Sequence, residues 1–318
     1  TLYSFSDNLL TWKDGLYSMV FIVLSVIAIR GGWQLKPIMN SNALLVTTSK
    51  QSVLVLNTPF SILHSFGQTE FLVPTLYFKE EIVRTWHPIK NYASNTTSIQ
   101  PNIVVLIIES FGKQYTGIGS RKSFTPFFDS LSDHGMLCTN AFANAFRSAE
   151  GIPACLAGIP GFTEQPFAAS PFATNTYEGL PSLLKKIGYS TSFFHGGTNG
   201  TMSFDIFSNS AGFDKYYGRK EYANDKDYDG TWGIWDEPYL QYFAKELDKM
   251  KEPFMSSVFT ISSHAPFHLP KKYEGSSLAS LQGIERGLSY TDMALQQFFA
   301  IAKTKPWYKY IVCHHSRS

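Results

Sequence analysis

The chain has 318 residues, an apolar share of 44% and a formal net charge of +2. That length holds one sizeable α/β domain plus smaller attachments, and the composition suits a packed core. The near-neutral balance, with no basic run longer than two residues, argues against a nucleic-acid partner. Three cysteines, Cys138, Cys155 and Cys313, lack CxxC spacing and zinc-finger histidines. A Cys138–Cys155 disulfide would require an oxidising compartment; the preferred reading is small buried residues, because free cysteine is among the most buried types. The first residue is Thr1 rather than Met, so the sequence reads as a fragment.

Residues 1–34 read as a membrane helix with its flanks. The stretch from Gly15 to Ile29 is uncharged and apolar, somewhat shorter than the roughly 20 residues of a full span. Trp12, Tyr17 and Trp33 are suited to the two interfaces, with Lys13 and Arg30 reaching outward. The alternatives are a buried core helix or a signal peptide, and Arg30-Gly-Gly-Trp33 is no cleavage site for the latter. Over residues 35–100, Pro37, Pro59, Pro74 and Pro88 interrupt short apolar runs, and a polar stretch, Asn91 to Ser98, follows. This predicts juxtamembrane helices and a linker. A third unit, 101–318, opens with Pro101-Asn-Ile-Val-Val-Leu-Ile-Ile108, a β-branched run typical of a central strand buried on both faces. Helices are predicted from Thr125-Pro, over Leu180–Ile187 with a stop at Gly188, and over Gly283–Ala302; further strands fall at Tyr189–Phe194 and Phe254–Ile261. Alternation of this kind predicts a mostly parallel sheet covered on both faces, an α/β three-layer sandwich.

In open parallel sheets ligands sit beyond the carboxyl ends of the strands. The residues at or just past those ends are Glu109-Ser110, His195-Gly196-Gly197 and Ser262-Ser263-His264. Each has a plain alternative: a carboxylate near a helix N-terminus, a hydrogen-bonded turn, a packed loop. Their joint position on one rim favours chemistry, and a buried carboxylate such as Glu109 is costly unless paired, with a divalent cation as a natural partner. Ser148, after Arg147 and before Glu150 at a predicted helix start, is a candidate hydroxyl nucleophile and equally a candidate N-cap. A helix N-terminus also favours the charge of a phosphate or sulfate.

Asn102-Ile-Val-Val-Leu-Ile-Ile-Glu-Ser110, Thr125-Pro-Phe-Phe-Asp129, Arg147-Ser-Ala-Glu-Gly151, Phe194-His-Gly196, Gly212-Phe-Asp214 and Thr260-Ile-Ser-Ser-His-Ala-Pro-Phe267 stand in this order between Pro101 and Tyr310. In order and spacing the set resembles the sulfatase-like branch of the alkaline phosphatase superfamily, within it the lipoteichoic acid synthase and phosphoglycerol transferase group. The resemblance implies a membrane-anchored enzyme with an extracytoplasmic catalytic domain at the cell membrane. It makes Glu109 a metal ligand, Ser148 the nucleophile and second ligand, and Arg147, His195 and His264 substrate contacts. The cofactor implied is a divalent metal, manganese, magnesium or zinc, and the substrate a phospholipid or envelope-glycan headgroup.

The chain departs from that family in three places. Its nucleophile is usually Thr; Ser148 keeps the hydroxyl, and the absence of a Cys/Ser-x-Pro-x-Arg motif favours phosphoryl transfer over sulfate-ester hydrolysis. Where lipoteichoic acid synthases carry a Trp and an Arg after Phe-His-Gly, Asn199-Gly-Thr-Met-Ser-Phe-Asp205 keeps only the Asp, which leaves glycerol phosphate specificity open. The family completes its metal site with an Asp-His pair after another strand, whereas this chain reads Tyr310-Ile-Val-Cys-His-His-Ser-Arg-Ser318. Neighbouring His314 and His315 would point to opposite faces of a strand, a poor replacement. Shifting the frame by one nucleotide from Ile311 permits Leu-Phe-Val-Ile-Thr-Ala-Asp-His, a buried strand ending in the pair, so the tail reads as a frameshift and the domain as incomplete at its C-terminus. The expectation is a phosphoglycerol-type transferase or phosphodiesterase; the rivals are a sulfuric-ester hydrolase and a non-catalytic envelope-binding fragment.

Overall fold

The computed structural model describes residues 11–34, 36–66, 81, 84, 99–161 and 165–317, with side-chain environments through Tyr308. The linker expected over 91–98 and the positions of Pro74 and Pro88 lie outside the described residues.

Helix α1, Trp12–Arg30, is opened by Thr11, whose N–H donates to Asp14 Oδ2 (2.8 Å), and is closed by Gly31 at φ 84°. That left-handed φ is costly for any residue with a Cβ. The helix is long and apolar enough to cross a membrane. None of its residues is buried against the other described residues. Beyond it a 3₁₀ turn, Asn40–Leu45, buries Ala43 and Leu44, and the Leu44 carbonyl accepts from Asn209 Nδ2. Short helices α2, Ser52–Val55, and α3, Thr58–Ser65, follow, the latter capped by Asn57 Oδ1, which accepts from Phe60 N at 3.1 Å.

Five strands form one sheet: β1 Asn102–Ile108, β2 Ser190–His195, β3 Lys215–Tyr217, β4 Phe254–Phe259 and β5 Ile311–Arg317. The order is β3-β2-β4-β1-β5, and every pairing is parallel. The α-helices described from residue 99 onward are α4 Pro126–Ser132, α5 Ser148–Ala157, α6 Leu180–Lys185, α7 Phe204–Ala211, α8 Arg219–Tyr222, α9 Asp236–Leu247 and α10 Gly283–Ala302.

β1 shows why the sheet is covered on both sides. Its side chains alternate between two faces: Val104, Leu106 and Ile108 join Leu240, Phe243 and Leu247 of α9 and Leu295 and Phe298 of α10. Val105 and Ile107 instead join Ile152 and Leu156 of α5 and Phe204 and Phe207 of α7. A run that is apolar at every position is what two such layers require. The three-layer parallel architecture agrees with the sequence reading, and α10 has the expected ends.

Two motif pieces have structural roles. Asp292 on α10 accepts the N–H groups of Phe127 and Phe128 (2.9 Å each), which caps α4, while Asp129 accepts Gly117 N (3.0 Å). Asp214 accepts from Thr191 N (2.9 Å) and pairs with Lys185 (2.6 Å), tying β2 to its neighbours. The cysteines differ from expectation: Cys138 is exposed, Cys155 is half-buried, and no disulfide joins them. Cys138 sits in the loop between α4 and α5, away from either apolar layer, so size alone did not bury it.

Candidate active site

Glu109 leaves the carboxyl end of β1 and is buried, 7% exposed. Its carboxylate accepts Ser110 Oγ on Oε1 (2.7 Å) and Ser148 Oγ on Oε2 (2.5 Å). Its backbone is held as well, by N–H donation to Thr260 Oγ1 (3.0 Å) and by Ser263 Oγ donating to its carbonyl (2.5 Å). Ser110 has φ 55°, a left-handed conformation uncommon for serine, and it turns the chain sharply off the strand. Four hydroxyl groups from three parts of the chain therefore hold Glu109, two at its carboxylate and two at its backbone.

Ser148 is the first residue of α5, not its cap; the cap position belongs to Arg147. Glu150 accepts Arg147 Nε (2.9 Å) and Arg147 N (3.4 Å), which holds the cap residue in place without the serine. Ser148 is left to face Glu109, half-buried, in the positive field of the helix N-terminus. Arg147 lies beside the nucleophile position, with its guanidinium directed at Glu150.

His195 ends β2 and is buried, its ring stacked on Phe259 at 4.9 Å and edge-on to Phe204 at 5.0 Å. Nδ1 lies 3.3 Å from the Phe259 carbonyl. A carbonyl can only accept, so Nδ1 carries the proton. Burial pushes the imidazole down to about 4, so at neutral pH it is uncharged and Nε2 is an acceptor. That nitrogen is covered by Gly197, where a Cβ would come within 2.6 Å of it. His264 is half-buried on the turn after β4, packed against Trp232 at 4.2 Å. Direct contacts thus join Glu109 and Ser148. His264 follows Ser263 on the same rim, whereas His195 lies lower, in register with Phe259 and, across β4, with Ile107.

The Glu109 carboxylate and Ser148 hydroxyl suit one side of a hard or borderline cation, as oxygen donors in contact. They do not enclose one: among the described residues no three of His, Cys, Asp and Glu form a metal-holding group. Side chains of His314 and His315 lie outside the described residues. Sequence reading names Ser110 and Thr260 at the strand ends without giving either a role, and it passes over Trp232. The first two follow strands directly and were open to the same rim rule; Trp232 carries no signal of its own.

The chain matches the family model described as Sulfatase over residues 101–316. The chain belongs to the Sulfatase family. Sulfatase-family relatives of this chain include lipoteichoic acid synthase 1 of Bacillus subtilis (strain 168), 27% identical over 219 residues covering 62% of this chain and 33% of that protein. The lipoteichoic acid synthase of Staphylococcus aureus (strain USA300) is 30% identical over 228 residues, 65% of this chain and 34% of that protein. The chain therefore spans about a third of the length of these relatives. Among solved structures, an alkaline phosphatase superfamily protein of Vibrio parahaemolyticus superposes with a TM-score of 0.63 at 29% identity, over 70% of this chain and 55% of that one. The lipoteichoic acid synthase LtaP of Listeria monocytogenes gives 0.60 at 22%, over 69% and 56%. The sulfatase-family fold is thus the alkaline phosphatase-like sandwich.

Proposed function

We propose that this chain is the catalytic part of a membrane-anchored phosphoglycerol-type transferase or phosphodiesterase acting on phospholipid or envelope-glycan headgroups. The observation that carries the reading is the 2.5 Å contact between Ser148 Oγ and Glu109 Oε2 at the N-terminus of α5. Ser148 directs its proton at a carboxylate and keeps lone pairs for a phosphorus atom that the helix end attracts. Attack by Oγ forms the Ser–O–P bond and breaks the P–O bond to the headgroup alcohol; the proton Ser148 gives to Glu109 is the one that ends on the departing alcohol oxygen. His264, on the open side of the rim, contacts the transferred or leaving group; His195, buried below it with Nε2 covered by Gly197, supports the rim from beneath. Arg147, beside the nucleophile and paired with Glu150, adds positive charge next to the substrate's phosphate. An acceptor alcohol or water then attacks the phosphoserine and frees Ser148. A divalent cation held by Glu109 and Ser148, whether manganese, magnesium or zinc, would supply Lewis-acid stabilisation of the developing charge.

The likeness to lipoteichoic acid synthases supports phosphoryl over sulfuryl transfer, as does the lack of a formylglycine motif at Ser148. The C-terminal strand supports the remaining ligands coming from its end. Arg317 of β5 pairs with Ile108, the residue before Glu109, and in the shifted frame the Asp-His pair falls at positions 317 and 318. Sequencing the coding DNA across Trp307–Ser318 is expected to reveal that frame; an unambiguous match to the stated codons would remove this part of the proposal. Catalysis is tested by Ser148→Ala, which should cut diester turnover by at least ~10³-fold while Ser148→Thr retains a measurable rate. Trapping phosphate on residue 148 by mass spectrometry completes the test. Unchanged turnover in Ser148→Ala, or release of sulfate from esters in preference to phosphate, would overturn the reading.

A further inference from the structure

The turn after β4 that carries His264 is gripped by a single stretch, Asp229–Asp236, which no step above uses. At one end, Asp229 Oδ1 accepts the N–H groups of Thr231 (2.8 Å), Trp232 (2.7 Å) and Gly233 (3.0 Å), a fan that fixes the local backbone. The Trp232 so held donates Nε1 to the Ala265 carbonyl (2.6 Å), and its ring lies tilted against the His264 imidazole. In the middle, Ile234 N donates to Gly196 O (3.0 Å), tying the stretch to the end of β2. At the other end Asp236, 2% exposed, accepts Ile261 N on Oδ1 (2.8 Å) and Ser262 N (3.2 Å) and Thr291 Oγ1 (2.7 Å) on Oδ2. Its own N–H donates back to Ser262 Oγ (2.9 Å).

Asp236 opens α9, and an acid there gains from the helix dipole while remaining exposed. Burying it costs free energy unless donors satisfy it. The donors come from the His264 turn and from α10, not from α9's own first turn. Burial pushes its carboxyl up and these bonds pull it back, leaving it at about 6, so near neutral pH it is the acceptor-only form that three donors require. We infer that Asp229–Asp236 is a positioning strap for His264, with Asp236 its buried anchor and Trp232 the plate against which the imidazole is set. This rests on His264 contacting the transferred or leaving group.

The test uses the full chain labelled with ¹³C-histidine, with Asp236→Asn, Trp232→Ala, Trp232→Phe and Ser148→Ala. The aromatic ring current of residue 232 should displace the His264 ring resonances in the unmodified chain and, more weakly, in Trp232→Phe, and the displacement should vanish in Trp232→Ala and average out in Asp236→Asn, with far-UV dichroism unchanged. In turnover, Asp236→Asn and Trp232→Ala should lower kcat about 10- to 100-fold, the scale of an ångström misplacement, with KM moving less, and Trp232→Phe should restore part of it. His264 resonances identical in all variants, or kcat of Trp232→Ala unchanged where Ser148→Ala abolishes turnover, would overturn the strap. Turnover untouched by Ser148→Ala, or absent altogether, would count against the catalytic reading instead, and the ring resonances alone would then decide the strap.

Discussion

A buried imidazole at the end of β2 leaves a mark on stability. His195 ionises near 6.5 in an unfolded chain but near 4 when folded, so between those values the unfolded state binds the extra proton. Stability is therefore lost as pH falls from 6.5 to 4, by roughly 3 kcal/mol at about 1.4 kcal/mol per unit. Asp236 and Asp292 act in the opposite sense: burial raises both to about 6, and their contribution grows as pH falls below 6. His195→Asn keeps a donor for the Phe259 carbonyl and removes the titration. Urea denaturation at pH 7 and 4.5 should show the variant losing less stability on acidification than the unmodified chain; equal losses would mean that His195 is charged in the fold. At this scale the rim rule picked out Glu109, His195 and His264 because each is at or just past a strand end. It could not tell that His195 is covered while His264 is open, since that difference comes from Gly197, Phe204 and Trp232 packing around the rings.

Elements with one unbroken period were readable: β1 and α10 declare themselves by a β-branched run and by apolar residues at helical spacing. β3 has only Lys215, Tyr216 and Tyr217, too short a run to carry a period, and its strand character comes from pairing with β2. α9 was legible in principle, with Tyr239, Leu240, Phe243, Ala244 and Leu247 on one stripe, but Pro238 in its first turn reads equally as a loop signal. The contact between β2's end and the strap could not be read at all, because it depends on Gly196 and Gly233 meeting. A Cβ on Gly233 would lie 2.5 Å from the Gly196 carbonyl oxygen, a backbone atom with little room to yield. Gly233→Ala should cost about 1–3 kcal/mol by overpacking, seen as a melting temperature lower by several degrees. Gly275→Ala, with nothing within 4 Å, is the control; equal melting temperatures for the two variants would refute the close approach.

For the molecule as a whole, the parallel sandwich was legible from alternating strands and helices, while the pairing of β5 with β1 required the fold itself. The apolar α1 predicts that the chain sediments with lipid vesicles and that removing residues 1–34 leaves the remainder in the supernatant; an intact chain that stays soluble without detergent would contradict the anchor. Between Arg30 at the end of α1 and Asn40, where the chain begins to pack on α7, stand nine residues, 31–39. Fully extended they reach about 30 Å at most. With α1 in a bilayer, the leash confines α7 to a thin layer above the headgroups. A molecule dissolved in that bilayer is then met by two-dimensional diffusion at a high effective concentration, an advantage no freely soluble ester shares. The tether itself would discriminate between donors, before any side chain has touched one.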